Sequence, residues 1–176
     1  MPNVANDAIR PTIDGTLGQA AQLLRSGQLD EAAAAYESVR VRAPNRFEGH
    51  LGLAQVLYQR RNMPALIQVL PMAVQAQPTC MPAYEIFYTL GTVGGVSDVA
   101  IQWLEHGAAA MPAEPVIFEW LIALYAMSGR DADLRQCLGH YARLRDKSVA
   151  EVAVIFARAG GLAEDVRGRI ATAAGY

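Results

Sequence analysis

Apolar and polar residues follow one another with helical spacing along this chain, and the whole pattern returns after 34 residues. Pro44, Pro78 and Pro112 mark this period, because each lies 34 residues after the one before. Three further sets of positions keep the same spacing: Gly27, Arg61, Gly95 and Gly129; Ala32, Leu66, Ala100 and Leu134; Tyr36, Leu70, Leu104 and Leu138. A fixed period of roughly 20 to 50 residues is typical of stacked-repeat proteins.

Each period contains two segments with helical spacing of apolar residues, separated by a short turn. Gly27 ends the first such segment, and Pro44 ends the second, because the residue before a proline is disfavoured in helical conformation. Two helices joined in this way form an antiparallel helical hairpin. The pattern therefore predicts an all-α protein with helices at 14–26, 29–43, 46–60, 63–77, 81–93, 99–110, 115–127 and 131–145, followed by two more on either side of Gly160–Gly161.

Polar residues at the predicted helix starts suggest where the caps lie. Serine and asparagine side chains satisfy free N–H groups there, and a glutamate three residues later completes a capping box. We expect boxes at Asn45–Glu48 and Ser148–Glu151, and single caps at Asn62 and Ser97.

Two residues interrupt the helical pattern. Pro71 lies inside the fourth predicted helix and is expected to kink it near Ile67 to Leu70, because proline removes a backbone donor. Gly91 occupies a position held by larger residues in the other periods, so we expect unfilled packing space there. The third hairpin is therefore predicted to be the least stable.

The period divides the chain into three parts. Residues 1–12 are polar and contain two prolines, which predicts a flexible arm. Residues 13–147 hold four repeats. Residues 148–176 are expected to form capping helices, since the end of a repeat stack needs a water-tolerant outer face.

Composition and charge narrow the class of protein. The net charge of −2 argues against a general nucleic-acid binder, because such domains usually carry a basic excess. Cys80 and Cys137 have no metal-ligand partners at suitable spacing and are expected to be buried, reduced thiols. The segment MPNVANDAIRPTIDG has no signal-peptide pattern, and no run of apolar residues is long enough to span a membrane. These features predict a cytoplasmic protein.

The recurring glycine, small residue, leucine or aromatic residue and closing proline resemble the tetratricopeptide repeat, whose period is also 34 residues. The resemblance covers about Ile13 to Asp146. The third repeat departs most from the family pattern, because Phe87–Tyr88 replaces a Leu–Gly pair. This resemblance implies a right-handed superhelical solenoid of helical hairpins with a concave groove that holds peptides or partner proteins.

In the family, first-helix residues line the groove. The matching residues here are Leu17, Ala21, Leu24, Arg25, Leu51, Gln55, Tyr58, Gln59, Glu85, Ile86, Thr89, Glu119, Trp120, Ala123 and Met127. One branch of the family grips a C-terminal carboxylate with lysine, asparagine and arginine. Leu17, Ala21, Gly52, Pro82 and Ile86 stand at those positions and cannot do so. Trp103 falls on a second helix and is expected to make a back-face contact.

The central repeats carry no positive charge. Residues 62–129 contain no Lys or Arg but five acidic residues, so their net charge is −5. Such an asymmetry can attract a basic or amphipathic partner to these repeats. The alternative is that fewer charges simply reflect greater burial.

The residues that could carry chemistry do not form a recognisable catalytic or metal site. His50, His106 and His140 lie in different repeats without a second ligand at helical spacing. The GTVGGV segment lacks the preceding strand and following lysine of a phosphate loop. Glu85 and Glu119 share a lining position one repeat apart, and polar lining is the expected role. We therefore predict no cofactor, no metal and no enzymatic activity.

The leading hypothesis is a scaffold or adaptor that binds a peptide or protein partner in a concave, apolar and mildly acidic groove. One alternative is a small cytosolic chaperone for apolar or secreted clients. Another is an accessory subunit of an enzyme complex, such as a glycosyltransferase-associated one. Self-association through the outer helices, around Pro71 or Trp103, is a further expectation.

Overall fold

The computed structural model describes residues 12–158 and 160–176, so all of the predicted 1–12 arm except Thr12 lies outside it. The described residues form ten α-helices and no strand. The helices are α1 (Ile13–Arg25), α2 (Leu29–Arg42), α3 (Phe47–Gln59), α4 (Met63–Ala76), α5 (Met81–Val93), α6 (Ser97–Ala110), α7 (Pro115–Ser128), α8 (Asp131–Leu144), α9 (Val149–Arg158) and α10 (Glu164–Ala173). The all-α prediction is confirmed.

The chain divides into two compact units, the first ending at Ala83 and the second beginning at Tyr84. In the first unit α1 packs on α2, α2 on α3 and α3 on α4, and α1 also contacts α3. The repeating positions Ala32, Tyr36, Leu66 and Leu70 lie in its core and are at most 5% exposed. The 34-residue period therefore marks the residues that bury the hairpins against each other.

The second unit repeats this arrangement and adds the terminal helices. Here α6 packs on α7 and α7 on α8, while α9 contacts α8 and α10 contacts α7, α8 and α9. Ala100, Leu104, Leu134 and Leu138 are completely buried, as the period predicts.

The glycine positions of the period adopt the left-handed backbone conformation. Gly27, Gly95 and Gly129 have φ angles of 76°, 71° and 70°. Arg61, which interrupts the set in sequence, adopts the same conformation with φ of 56°. The turn between paired helices requires this conformation in every repeat, and at Arg61 a side chain bears its steric cost.

Two of the four predicted caps are confirmed. Asn62 accepts a hydrogen bond from the Ala65 backbone N–H. The Ser148 backbone N–H donates to the Glu151 carboxylate at 2.8 Å, and the Glu151 N–H donates back to the Ser148 hydroxyl at 3.2 Å. This reciprocal pair is a capping box.

The other two predicted caps are wrong. The helix that Asn45 was expected to cap begins after Arg46, whose guanidinium instead binds the Glu48 carboxylate with contacts of 3.0 and 3.1 Å. Helix α6 begins at Ser97 itself, and the Ser97 hydroxyl donates to the Gly91 carbonyl at 2.9 Å. Thus the Ser97 hydroxyl bonds to a backbone carbonyl of α5 instead of capping α6, and the Glu48 carboxylate of the expected box bonds to a side chain.

The expectation of empty space at Gly91 is also wrong. A Cβ atom at this position would lie 2.7 Å from the Ala100 Cβ and 2.9 Å from a Leu124 methyl carbon. Neighbouring helices therefore occupy the volume that a larger residue fills elsewhere. Helix α4 continues through Pro71, and the predicted kink there stays a prediction.

Candidate partner-binding site

The predicted lining residues of the second unit lie on α5 and α7, and they differ in how much of each side chain is exposed to solvent. Glu85 is exposed, whereas Ile86, Thr89, Glu119 and Trp120 are half-buried. Further along α7, Ala123 is only 3% exposed and Met127 is 42% exposed. These helices thus present both polar and apolar atoms to solvent.

Three of these residues meet at one pocket, which we call the Trp120 pocket. It has a volume of about 250 Å³. Its lining comes from α5, α7, α9 and the residues between α9 and α10: Tyr88, Glu119, Trp120, Ala123, Phe156, Gly160, Gly161 and Leu162. The C-terminal segment that was predicted only to cap the stack therefore also contributes to the candidate site.

An aromatic stack forms one wall of the Trp120 pocket. The rings of Tyr88 and Trp120 lie 5.5 Å apart, centroid to centroid, with an angle of 14° between their planes. Near-parallel offset rings at this distance are a favourable aromatic geometry. Tyr88 belongs to the Phe87–Tyr88 pair that departs from the family pattern, so its unusual size was the signal that could have identified it.

Glu119 is held in place by a tyrosine from α8. The Tyr141 hydroxyl donates to the Glu119 carboxylate at 2.7 Å. Tyr141 is 2% exposed, and its ring contacts Phe156 edge-on with centroids 5.9 Å apart. Burial and, to a smaller extent, this hydrogen bond raise the pKa of Tyr141 to about 12. The phenol therefore stays protonated at neutral pH and acts as a fixed donor.

The Glu119 carboxylate forms no ion pair with the described residues. Among the described residues, no lysine or arginine lines the Trp120 pocket. Arg145 lies over the Tyr141 ring, 6.0 Å from its centroid, and is not among the lining residues. The pocket thus combines aromatic surface with one carboxylate that has no ion-pair partner in the described part of the chain.

The predicted lining residues of the first unit lie on α1 and α3, which contact each other. Leu17, Leu24, Leu51 and Gln55 are half-buried, and Gln59 is exposed. Tyr58 exposes 41% of its surface. These residues offer contact surface, and their role in binding stays a prediction.

Trp103 packs within the second unit. Its ring stacks on Phe87 with centroids 5.6 Å apart and an angle of 11°, and it also contacts the His106 ring. Its half-buried position on α6 leaves part of the ring accessible. The expected back-face contact stays a prediction.

A second pocket of the same unit lies between α6, α7 and α8 and was not predicted from the sequence. This Tyr125 pocket has a volume of about 380 Å³ and is lined by Glu105, Ala108, Phe118, Leu121, Tyr125, Asp133, Gln136, Cys137, His140 and Arg143. Glu105 accepts hydrogen bonds from the Tyr125 hydroxyl at 2.8 Å and from Arg130 at 3.3 Å. Arg130 also donates to Asp133 at 2.7 Å. These polar groups therefore serve as hydrogen-bond partners for one another.

The Cys137 thiol at the Tyr125 pocket is not poised for chemistry. It is 7% exposed, and burial raises the pKa of the thiol to about 12. Since the thiolate is the nucleophilic form, a thiol with this pKa is inert at neutral pH. Cys80 is likewise buried, as expected from the sequence.

The three histidines have structural partners. His50 is buried and accepts a hydrogen bond from the Arg40 Nε at Nδ1, while its Nε2 lies 2.8 Å from the Pro44 carbonyl. The His106 Nδ1 lies 3.3 Å from the Tyr84 hydroxyl, and the His140 ring packs on Phe118. Within the described part of the chain, no group of three or more His, Cys, Asp or Glu residues could hold a metal ion.

No helix in the described ranges is sufficiently long and apolar to cross a membrane.

Neither the protein-family models nor the curated proteins contain a match to this chain. Solved structures do match. Residues 41 to the end of MamA from Desulfovibrio magneticus RS-1 are 15% identical, with a TM-score of 0.59 over 92% of this chain and 90% of that one. TTC0263, a thermophilic TPR protein of Thermus thermophilus, is 20% identical, with a TM-score of 0.52 over 92% and 81%.

A third similar structure is YrrB, described as a TPR protein with an unusual peptide-binding site. It is 15% identical, with a TM-score of 0.58 over 96% of this chain and 88% of that one. At these identities the similarity establishes the fold alone. The chain has the all-α helical repeat fold of tetratricopeptide repeat proteins, which confirms at the level of fold the resemblance drawn from its 34-residue period.

Proposed function

We propose that this protein is a non-catalytic scaffold that binds a peptide segment of a partner protein on the α5 and α7 surface of its second unit. The observation that carries the proposal is the Trp120 pocket, where three predicted lining residues of α7 meet Tyr88 of α5 around a half-buried tryptophan. Large aromatic side chains in pockets are favoured anchors of protein interfaces. YrrB, which shares the fold, is described as having a peptide-binding site.

This surface offers apolar area and carboxylates that could bind a peptide segment, and the polar groups near it are not activated for catalysis. Burying apolar groove surface contributes roughly 25 cal/mol per Å², from which the cost of ordering the segment is subtracted. Glu85 and Glu119 would orient the segment and favour basic or amphipathic sequences. The protonated Cys137 thiol and the internally paired Glu105 and Asp133 offer no activated nucleophile or base.

The proposal can be tested by selecting peptides on the purified chain. Phage-displayed random dodecapeptides would be enriched on the wild-type protein, and an enriched peptide carrying a photoreactive phenylalanine analogue would then be crosslinked to it. We expect crosslinks on α5, on α7 and in the 160–162 segment, and their loss in the Glu119→Lys variant. Crosslinks confined to the Tyr125 pocket, or the absence of any enriched peptide, would contradict the proposal.

A further inference from the structure

We infer that the Trp120 pocket receives an arginine side chain of the partner, with its guanidinium packed on the aromatic wall and paired with Glu119. This inference rests on the proposed function and specifies the residue that anchors the bound segment. Three features of the pocket support it: its size, its lining and the fixed position of its carboxylate.

The size of the pocket suits one side chain. Its volume of about 250 Å³ is below the roughly 300–1,000 Å³ of sites that enclose drug-sized ligands. A long, narrow side chain entering from a peptide fits within such a volume. Gly160 and Gly161 in its lining carry no side chains that would obstruct an approaching backbone.

The lining selects a cation over an anion or a neutral group. Tyr88 and Trp120 supply aromatic faces, which attract a nearby cation by roughly 0.5–2 kcal/mol depending on how far it is desolvated. Glu119 adds a carboxylate without an ionic partner among the described residues. Residues 62–129, which include all of α5 and α7, hold no Lys or Arg that would compete for it.

The geometry of the carboxylate favours arginine over lysine. Because the Tyr141 hydroxyl binds Glu119 Oε1, the carboxylate is oriented before a partner arrives. A planar guanidinium can stack on an aromatic face and present two N–H groups to a carboxylate, whereas an ammonium group is a compact, strongly hydrated charge. Orientation in advance lowers the entropic cost of binding.

A peptide titration followed by NMR tests this inference. The ¹⁵N-labelled full chain would be titrated with acetylated and amidated Gly-Gly-X-Gly-Gly, where X is arginine, lysine, citrulline or glutamate. The indole N–H signals of Trp120 and Trp103, assigned with a Trp103→Phe variant, report on the pocket and on a separate position of the same unit. We expect the arginine peptide to shift the Trp120 signal and to bind roughly tenfold more tightly than the citrulline peptide, which has the same shape without the charge.

Two variants separate the arginine assignment from peptide binding in general. Glu119→Gln should abolish the preference for arginine over citrulline, whereas Asp98→Asn, a matched loss of one negative charge on α6, should preserve it. Equal binding of arginine and citrulline peptides, an unchanged preference in Glu119→Gln, or no shift of Trp120 with the arginine peptide would overturn the inference. The proposed function would fail separately, if peptides selected on the chain bound without contacting α5 and α7.

Discussion

The hydroxyl of Tyr141 donates a 2.7 Å hydrogen bond to the carboxylate of Glu119, connecting α8 to α7 beside the Trp120 pocket. Tyr141 belongs to the buried core of the second unit, whereas Glu119 is half-buried at the pocket. A core residue therefore positions the charged group of the candidate site. This relationship connects the stability of the fold with the chemistry of the surface.

The protonation of Tyr141 predicts a loss of stability at high pH. The folded-state pKa of Tyr141, about 12, lies above the ordinary value of 10.0. Its contribution to the free energy of unfolding is therefore complete below pH 10 and is lost as the pH rises through 12. Urea unfolding between pH 7 and 12 should show a smaller alkaline loss for Tyr141→Phe than for wild type. Tyr58→Phe, which removes an exposed hydroxyl, should follow wild type, and identical curves for all three proteins would contradict the prediction.

Arg61 predicts a stabilising substitution. Because Arg61 adopts a left-handed conformation with φ of 56°, Arg61→Gly should raise the free energy of unfolding by about 0.5–1 kcal/mol, net of glycine's greater freedom in the unfolded chain. The converse variant is Gly27→Ala, where φ is 76° and an added Cβ meets no atom within 4 Å. Gly27→Ala should lower the free energy of unfolding by about 1 kcal/mol. The prediction fails if chemical denaturation finds Arg61→Gly less stable than wild type.

Gly91 and Gly168 predict opposite responses to the same substitution. Helix propensity alone favours alanine at both positions by roughly 0.5–1 kcal/mol. At Gly91, however, the new Cβ would lie 2.7 Å from the Ala100 Cβ, whereas at Gly168 nothing lies within 4 Å. Thermal or urea unfolding should show that Gly91→Ala costs about 1–3 kcal/mol and that Gly168→Ala stabilises. A stabilising Gly91→Ala would show that the space is open after all.

The two cysteines predict slow thiol modification in the folded protein. Cys80 and Cys137 are 4% and 7% exposed, and burial raises the pKa of both thiols. Single-thiol variants, Cys80→Ser and Cys137→Ser, should therefore react with a disulfide reagent at pH 8 at least roughly a hundredfold more slowly than in urea, since reaction requires local or global opening. A thiol that reacts at the same rate with and without urea would contradict its burial.

The sequence predicts the fold well, because the period places the same residue types in the same structural positions. Leu70, Leu104 and Leu138 are buried because each repeat packs in the same way. The left-handed turn conformation recurs even at Arg61, where the sequence has no glycine. The 34-residue period thus predicts the helices, the turns and the buried positions of every repeat.

Residue contacts across helices escape this kind of prediction. Asn45 was expected to cap α3, but the helix begins at Phe47, after Arg46, and the Arg46 guanidinium binds Glu48. The lack of a side chain at Gly91 suggested a void. Ala100 and Leu124 occupy that space, and the sequence does not show how close they pack to Gly91. Both errors arise where side-chain contacts, rather than the repeat pattern, decide the outcome.

The candidate site was predicted in part. Glu119, Trp120 and Ala123 were assigned to the groove and line one pocket, but the contributions of Tyr88, Phe156 and Leu162 were missed. Phe156 and Leu162 lie outside the four repeats, so repeat positions could not identify them. The partner, the cytoplasmic location and the role of the first-unit residues stay predictions.

The most direct test of the binding account is the affinity of one selected peptide for wild type, Trp120→Ala and Val93→Ala, measured by calorimetry on variants whose helical content matches wild type. Val93 is 84% exposed on α5 and lies outside the Trp120 pocket. We predict that Trp120→Ala weakens binding by roughly 2 kcal/mol, about thirtyfold, while Val93→Ala binds like wild type. Equal affinity of Trp120→Ala and wild type would contradict the account.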